Sequence, residues 1–175
     1  ELNCKGHNLN MEMVPELVVH LDQPLELGAD LIATTYGALK HFKQPTIVID
    51  MGSATKITAI NAKGEFNSGL LLPGLKVAQN AMNAFIPHLP SIPLEFPKQL
   101  LGRDTVSCMQ AGLMYSTIDS IIGICTRIEK EFNQDCVKVL TGGLSNVVKN
   151  SLNDYVFEPF LLNDGLFEIY TQKLA

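Results

Sequence analysis

The chain has 175 residues, 46% hydrophobic and 18% charged, with a net charge of −5. That length can bury one sizeable core, and the composition excludes a disordered or fibrous chain. No block of lysine or arginine occurs, so neither nucleic acid nor an anionic membrane is an expected partner. Residues 1–24 read as a connector, punctuated by Pro15 and Pro24, in which Val14, Leu17, Val18 and Leu21 give at most one short amphipathic turn. From Pro24 to Lys43, Leu27, Leu31, Ile32, Tyr36 and Leu39 recur at helical spacing, with alanines between them. Gly28 falls at the start of this helix and Asp30 in its first turn, where the helix dipole favours a carboxylate.

The β-branched run Thr46-Ile47-Val48-Ile49-Asp50, bounded by Pro45 and Gly52, predicts a buried strand. Residues 56–60 alternate polar and apolar and predict a second. Asn61-Ala62-Lys63-Gly64 supplies a hairpin turn, and residues 65–72 a third strand ended by Pro73-Gly74. A helix over 75–85 follows, then a loop with Pro87, Pro90, Pro93 and Pro97. Thr105 is the expected cap of a long helix from Val106 to about Phe132. Residues 137–140 predict a strand leading through Thr141-Gly142-Gly143 into another helix. Residues 155–157 predict a last strand and 166–173 a closing helix. A three-strand antiparallel meander followed by alternating helices and strands predicts an α/β domain on a mixed sheet. The same order describes the RNase H-like lobe of the ASKHA (actin-like) superfamily.

Cys4, Cys108, Cys125 and Cys136 are scattered without a C-x-x-C pair, and are expected to be reduced thiols rather than a zinc site or a disulfide framework. His7, His20, His41 and His88 have no metal-ligand spacing and read as surface or packing residues. No apolar stretch approaches the ~20 residues that span a bilayer, and no signal sequence opens the chain.

Three short stretches can carry chemistry. Asp50-Met51-Gly52-Ser53-Ala54-Thr55 joins a strand to a tight turn, where a glycine and hydroxyls can approach a phosphate and a carboxylate can hold a cation. Taken alone it reads more readily as an ordinary acid-glycine turn. Thr141-Gly142-Gly143 can let a nucleotide lie against backbone, or can simply punctuate strand and helix. Asp30 can accept a proton from a substrate hydroxyl, or serve only as a helix-start acid.

The order of these stretches is more specific than any one of them. Gly28-Ala29-Asp30, Asp50-Met51-Gly52-Ser53-Ala54-Thr55, residues 68–75 with Pro73-Gly74-Leu75, Gly102-Arg103-Asp104-Thr105 and Thr141-Gly142-Gly143 together resemble the type III pantothenate kinases, from about residue 20 to the end. The resemblance implies that 25–175 form the carboxy-terminal ASKHA lobe and that 1–24 are a connector or a remnant of the amino-terminal lobe. It implies Asp30 as general base on the pantothenate hydroxyl, with Gly28, Ala29, Leu31 and Thr105 at the substrate. Thr105 would reach its site across a homodimer interface. It implies Gly52, Ser53, Thr141, Gly142 and Gly143 at ATP, and Asp50 at a monovalent cation, K+ or NH4+. Such a cytoplasmic enzyme uses ATP and Mg2+ to phosphorylate pantothenate, the first step of coenzyme A synthesis.

Three features depart from the family pattern. Leu31 stands where the family has an arginine, whose charge-assisted contacts are commonly worth about 1.5–3 kcal/mol each. Leu21 stands where it often has a tyrosine. The amino-terminal Asp-x-Gly-Asn-Thr phosphate loop is not among these residues, so the chain is expected to be a carboxy-terminal part with weak or absent activity by itself. A non-catalytic nucleotide-binding or regulatory homologue, and an ASKHA kinase for another hydroxylated substrate, are the competing functions.

Overall fold

The computed structural model describes residues 6–174. In chain order the elements are α1 (Ala29–His41), β1 (Thr46–Met51), β2 (Ala54–Ile60), β3 (Phe66–Pro73), α2 (Leu75–Phe85), α3 (Thr105–Phe132), β4 (Val137–Thr141), β5 (Val156–Phe157) and α4 (Leu161–Lys173). The sheet runs β3-β2-β1-β4-β5. β1, β2 and β3 form the expected antiparallel meander, while β4 lies parallel to β1 and β5 parallel to β4.

Alternation along β1 sorts its side chains onto two faces. Ile47, Ile49 and Met51 join Ile57 and Leu140 in a core with Leu75 of α2 and Met114, Ile118 and Ile121 of α3. Val48, Ile60 and Val139 point the other way and pack with Ala38 of α1 and Leu161 of α4. Asp50 shares the parity of Val48, so its side chain emerges on the α1 side of the sheet.

α1 and α4 approach closely because each carries a glycine at the contact. A Cβ on Gly165 would lie 1.7 Å from the Ala33 carbonyl oxygen, and one on Gly37 would lie 2.3 Å from that of Leu161. Ahead of α1, Met11, Val14 and Leu17 are buried against Ile32, Tyr36 and Ile169, and Val19 bridges to Phe66 of β3.

Three local expectations need correction. Asp104, not Thr105, caps α3: its carboxylate accepts from the Ser107 N–H at 2.9 Å, and the Ser107 side chain reaches back to the Asp104 N–H. A carboxylate makes the better cap because it accepts with full charge at the positive end of the helix. The segment after Gly143 forms two short 3-10 turns, Ser145–Val147 and Lys149–Ser151, instead of a helix. The closing helix begins at Leu161 rather than at residue 166, whereas the first helix starts after Gly28 as expected, with Pro24–Glu26 in a separate 3-10 turn. Cys108, Cys125 and Cys136 are free thiols, and Cys4 lies outside the described residues. No described helix is long and apolar enough to cross a membrane.

Candidate active site

The end of β1 is where the chemistry-bearing residues gather. The β1–β2 turn at Gly52 and Ser53 is closed by the Gly52 N–H donating to the Ala54 carbonyl at 3.0 Å. The start of α2 docks on this turn. The Gly74 N–H donates to the Ser53 carbonyl at 3.2 Å, and a Cβ on Gly74 would lie 2.4 Å from that oxygen. On the other side, Thr141 is buried and stands opposite Asp50 in the parallel register. The turn after it is stitched to β1, with the Leu144 N–H donating to the Met51 carbonyl at 2.9 Å. Two glycine turns thus flank Asp50, with Ser53 and Gly143 exposed at their tips.

α1 brings its amino terminus to the same place. Gly28 is its cap residue, and Asp30 in the first turn accepts the Leu31 N–H on Oδ1 at 2.9 Å. Between the two carboxylates lies a residue that the sequence reading passed over. Lys56 is the partner of Asp50 in the antiparallel ladder. Its Nζ donates to Asp30 Oδ2 at 2.5 Å and to Asp50 Oδ2 at 2.8 Å. The Lys56 side chain is 17% exposed and that of Asp50 12%, whereas that of Asp30 is 46% exposed. Asp30 is therefore the member of this triad that a ligand can reach.

Partial burial alone would raise the Asp30 carboxyl. The hydrogen bond and charge of Lys56, with the Leu31 N–H, outweigh it and hold Asp30 below the ordinary carboxylate range. Burial likewise opposes the Lys56 charge, and its hydrogen bonds to Asp30 and Asp50 outweigh that and raise it above the ordinary lysine range. At neutral pH the arrangement is an ionised acceptor on a fixed lysine, beside two turns with backbone N–H groups. Such a constellation can take a proton from a hydroxyl while a phosphoryl group is held next to it.

The sequence model of one family, described as type III pantothenate kinase, matches residues 2–127. The chain belongs to the type III pantothenate kinase family. A type III pantothenate kinase from Moorella thermoacetica is 38% identical over 157 residues, covering 89% of this chain and 61% of that relative. One from Bacillus cytotoxicus is 31% identical over 158 residues, covering 90% and 60%. The chain thus spans about three fifths of the length of these curated relatives. Among solved structures, a protein described as a conserved Baf family transcriptional activator from Campylobacter jejuni superposes with a TM-score of 0.66 at 19% identity, over 91% of this chain and 71% of that one. The Alp12 filament structure gives 0.57 at 15% identity, over 83% and 53%. At those identities the likeness concerns fold alone. The fold is the RNase H-like, actin-type lobe that the element order predicts.

Against the family pattern, the two apolar departures fall together. Leu21 and Leu31 are both half-buried against the same cluster, formed by Met11, Val14, Leu17, Leu27 and Ile32. Thr105 does not join the Asp30 triad. It opens α3 on the exposed surface and lines a groove with Met82, Leu89, Met109 and Leu113. Lys56 could have been found from the sequence by counting. With Gly52, Ser53 and Ala54 between the paired Met51 and Thr55, residue 50 stands opposite residue 56, and a lysine across from an aspartate is a favoured cross-strand pair.

Proposed function

We propose that this chain is the catalytic lobe of an ATP-dependent pantothenate kinase, which makes 4'-phosphopantothenate and opens coenzyme A synthesis in the cytoplasm. The observation that carries the reading is the exposed Asp30 carboxylate, fixed by Lys56 and Leu31, beside the glycine turns at Gly52 and Gly142 in a chain of this family.

In this reading Asp30 accepts the proton of the pantothenate hydroxyl as its oxygen bonds to the γ-phosphorus of ATP and the bond to ADP breaks. An ionised carboxylate has about four lone-pair sites, so Asp30 can hold Lys56 and Leu31 and still accept that proton. Gly28 and Ala29 lie next to Asp30 with no bulky side chain in the way, and a Cβ on Gly28 would meet Asp30 Oδ1 at 2.8 Å. Ser53 and Thr141 offer hydroxyls and Gly142 and Gly143 backbone N–H groups to the nucleotide, while Gly52 lets the β1–β2 turn come close to it. Phosphoryl transfer asks mainly for such positioning and charge neutralisation.

No three His, Cys, Asp or Glu converge on a metal position among the described residues. Magnesium keeps most of its waters and binds largely through substrate phosphates, so here it would be held by the nucleotide, Asp50 being tied to Lys56. The monovalent cation implied at Asp50 does not fit, because Lys56 Nζ already holds Asp50 Oδ2. The dimer that the resemblance implies has a candidate face in the exposed apolar groove beside Thr105, and sedimentation of the intact protein tests it.

The assay for the function is formation of 4'-phosphopantothenate from pantothenate and ATP by the intact gene product with magnesium. Turnover supports the reading. A folded intact protein that binds ATP and leaves pantothenate unmodified refutes it in favour of a regulatory homologue or another substrate.

A further inference from the structure

The site contains a cation of its own. Lys56 Nζ sits between Asp30 Oδ2 and Asp50 Oδ2, at 2.5 and 2.8 Å, on a side chain that is mostly shielded from water. We propose that this ammonium group is the built-in monovalent cation of the site, so that the enzyme needs neither potassium nor ammonium ions there.

The physical case rests on charge and on occupancy. Two carboxylates brought together at the end of β1 and the start of α1 repel each other unless a positive charge lies between them. A lysine ammonium is a compact, strongly hydrated point charge with three donors, the side-chain group nearest in kind to a small monovalent ion. Two of those donors are spent on Asp30 and Asp50. A free ion bound to Asp50 Oδ2 would sit in contact range of the Nζ charge, and the like charges would exclude one another. β2 holds the lysine in place, since Lys56 is paired with Asp50 in the ladder and its neighbours Thr55 and Ile57 are buried. The geometry asks nothing of the solvent ion.

The activity half of this inference depends on the kinase reading, and the binding half does not. Thermal melting of the intact protein, without substrates, is compared in potassium, ammonium and choline chloride at constant ionic strength. The wild-type Tm is expected to be the same in all three. Lys56→Met leaves two carboxylates facing each other, and its Tm is expected to rise by about 3–5 °C in potassium or ammonium at ten times the Kd. Lys56→Thr, a β-branched residue suited to the strand, serves if the methionine variant does not fold. In the kinase assay the wild type is expected to turn over equally in potassium and choline, and the variants only with potassium or ammonium present. A saturable rise of the wild-type Tm with potassium overturns the proposal, as does a folded variant indifferent to both ions. The expected melting pattern in a protein that does not phosphorylate pantothenate upholds the built-in cation and refutes the kinase reading alone.

Discussion

A Cβ placed on Gly142 would lie 2.4 Å from Asp50 Oδ1 and 2.6 Å from the Met51 nitrogen. Gly142 also has φ +91°, a conformation that L side chains rarely adopt. Its carbonyl accepts from the buried Ser145 through both the N–H, at 3.1 Å, and the hydroxyl, at 2.5 Å. The turn after β4 and the carboxylate on β1 are therefore fitted to each other, and neither can move alone.

Gly142→Ala is expected to cost about 2–4 kcal/mol, from backbone strain and displacement of Asp50 together. Urea unfolding of wild type and variant measures it. A loss below about 0.5 kcal/mol, the range of an ordinary surface change, would show that the turn and Asp50 are not coupled.

The crossing of α1 and α4 gives a test in which two effects have opposite signs. Helix propensity alone favours Gly165→Ala by about 1 kcal/mol. The structure puts the new methyl 1.7 Å from the Ala33 carbonyl oxygen and 2.8 Å from the Gly37 nitrogen, so the helices must separate. Overpacking wins, and the variant is expected to lose about 2–3 kcal/mol net. A more stable variant would contradict the close helix contact.

Glu16 ties the segment ahead of α1 to both of these helices. Its Oε1 accepts from Lys173 at 2.8 Å and from the Tyr36 hydroxyl at 2.5 Å. The Lys173 hydrogen bond, then that of Tyr36, lower its pKa from 4.5 to about 2. A lowered folded-state value means that the contribution to stability is complete above the unfolded pKa of 4.5 and fades as pH falls from 4.5 toward 2. Unfolding midpoints of wild type and Glu16→Gln should differ at pH 6 and converge only as the pH falls to about 2. Because Glu16 is largely solvent-exposed, the difference is expected to be small and to shrink with salt. A gap that persists unchanged at about pH 2 would rule out the ionised carboxylate as its source.

The meander, α2 and α3 were legible in the sequence, because Thr46–Asp50 is a continuous β-branched run buried on both faces and Met109–Ile128 keeps apolar residues at helical spacing. The packing of residues 11–19 was not legible. Met11, Val14 and Leu17 are too few for a periodic signal, and they are buried only because α1 and α4 present Ile32, Tyr36 and Ile169 to them. The 3-10 turns after Gly143 escaped for a similar reason, since the Leu144 N–H and Ser145 are committed to Met51 and Gly142 rather than to helix bonds. At the site, Asp30, Asp50 and the glycine turns could be singled out by residue type and order. What joins Asp30 to Asp50 is Lys56, an ordinary polar position in an alternating strand until the ladder register is known.

Asp30→Asn in the intact protein is the decisive test of the proposal that Asp30 is the base of a pantothenate kinase. The variant keeps an acceptor for the Leu31 N–H, and Lys56 keeps Asp50, so the fold and the Tm are expected to change little. Wild-type protein should phosphorylate pantothenate with ATP, and the variant's kcat should be about 10²–10⁴-fold lower with its pantothenate KM nearly unchanged. A folded variant with the wild-type kcat would contradict the account and take the proton transfer away from Asp30.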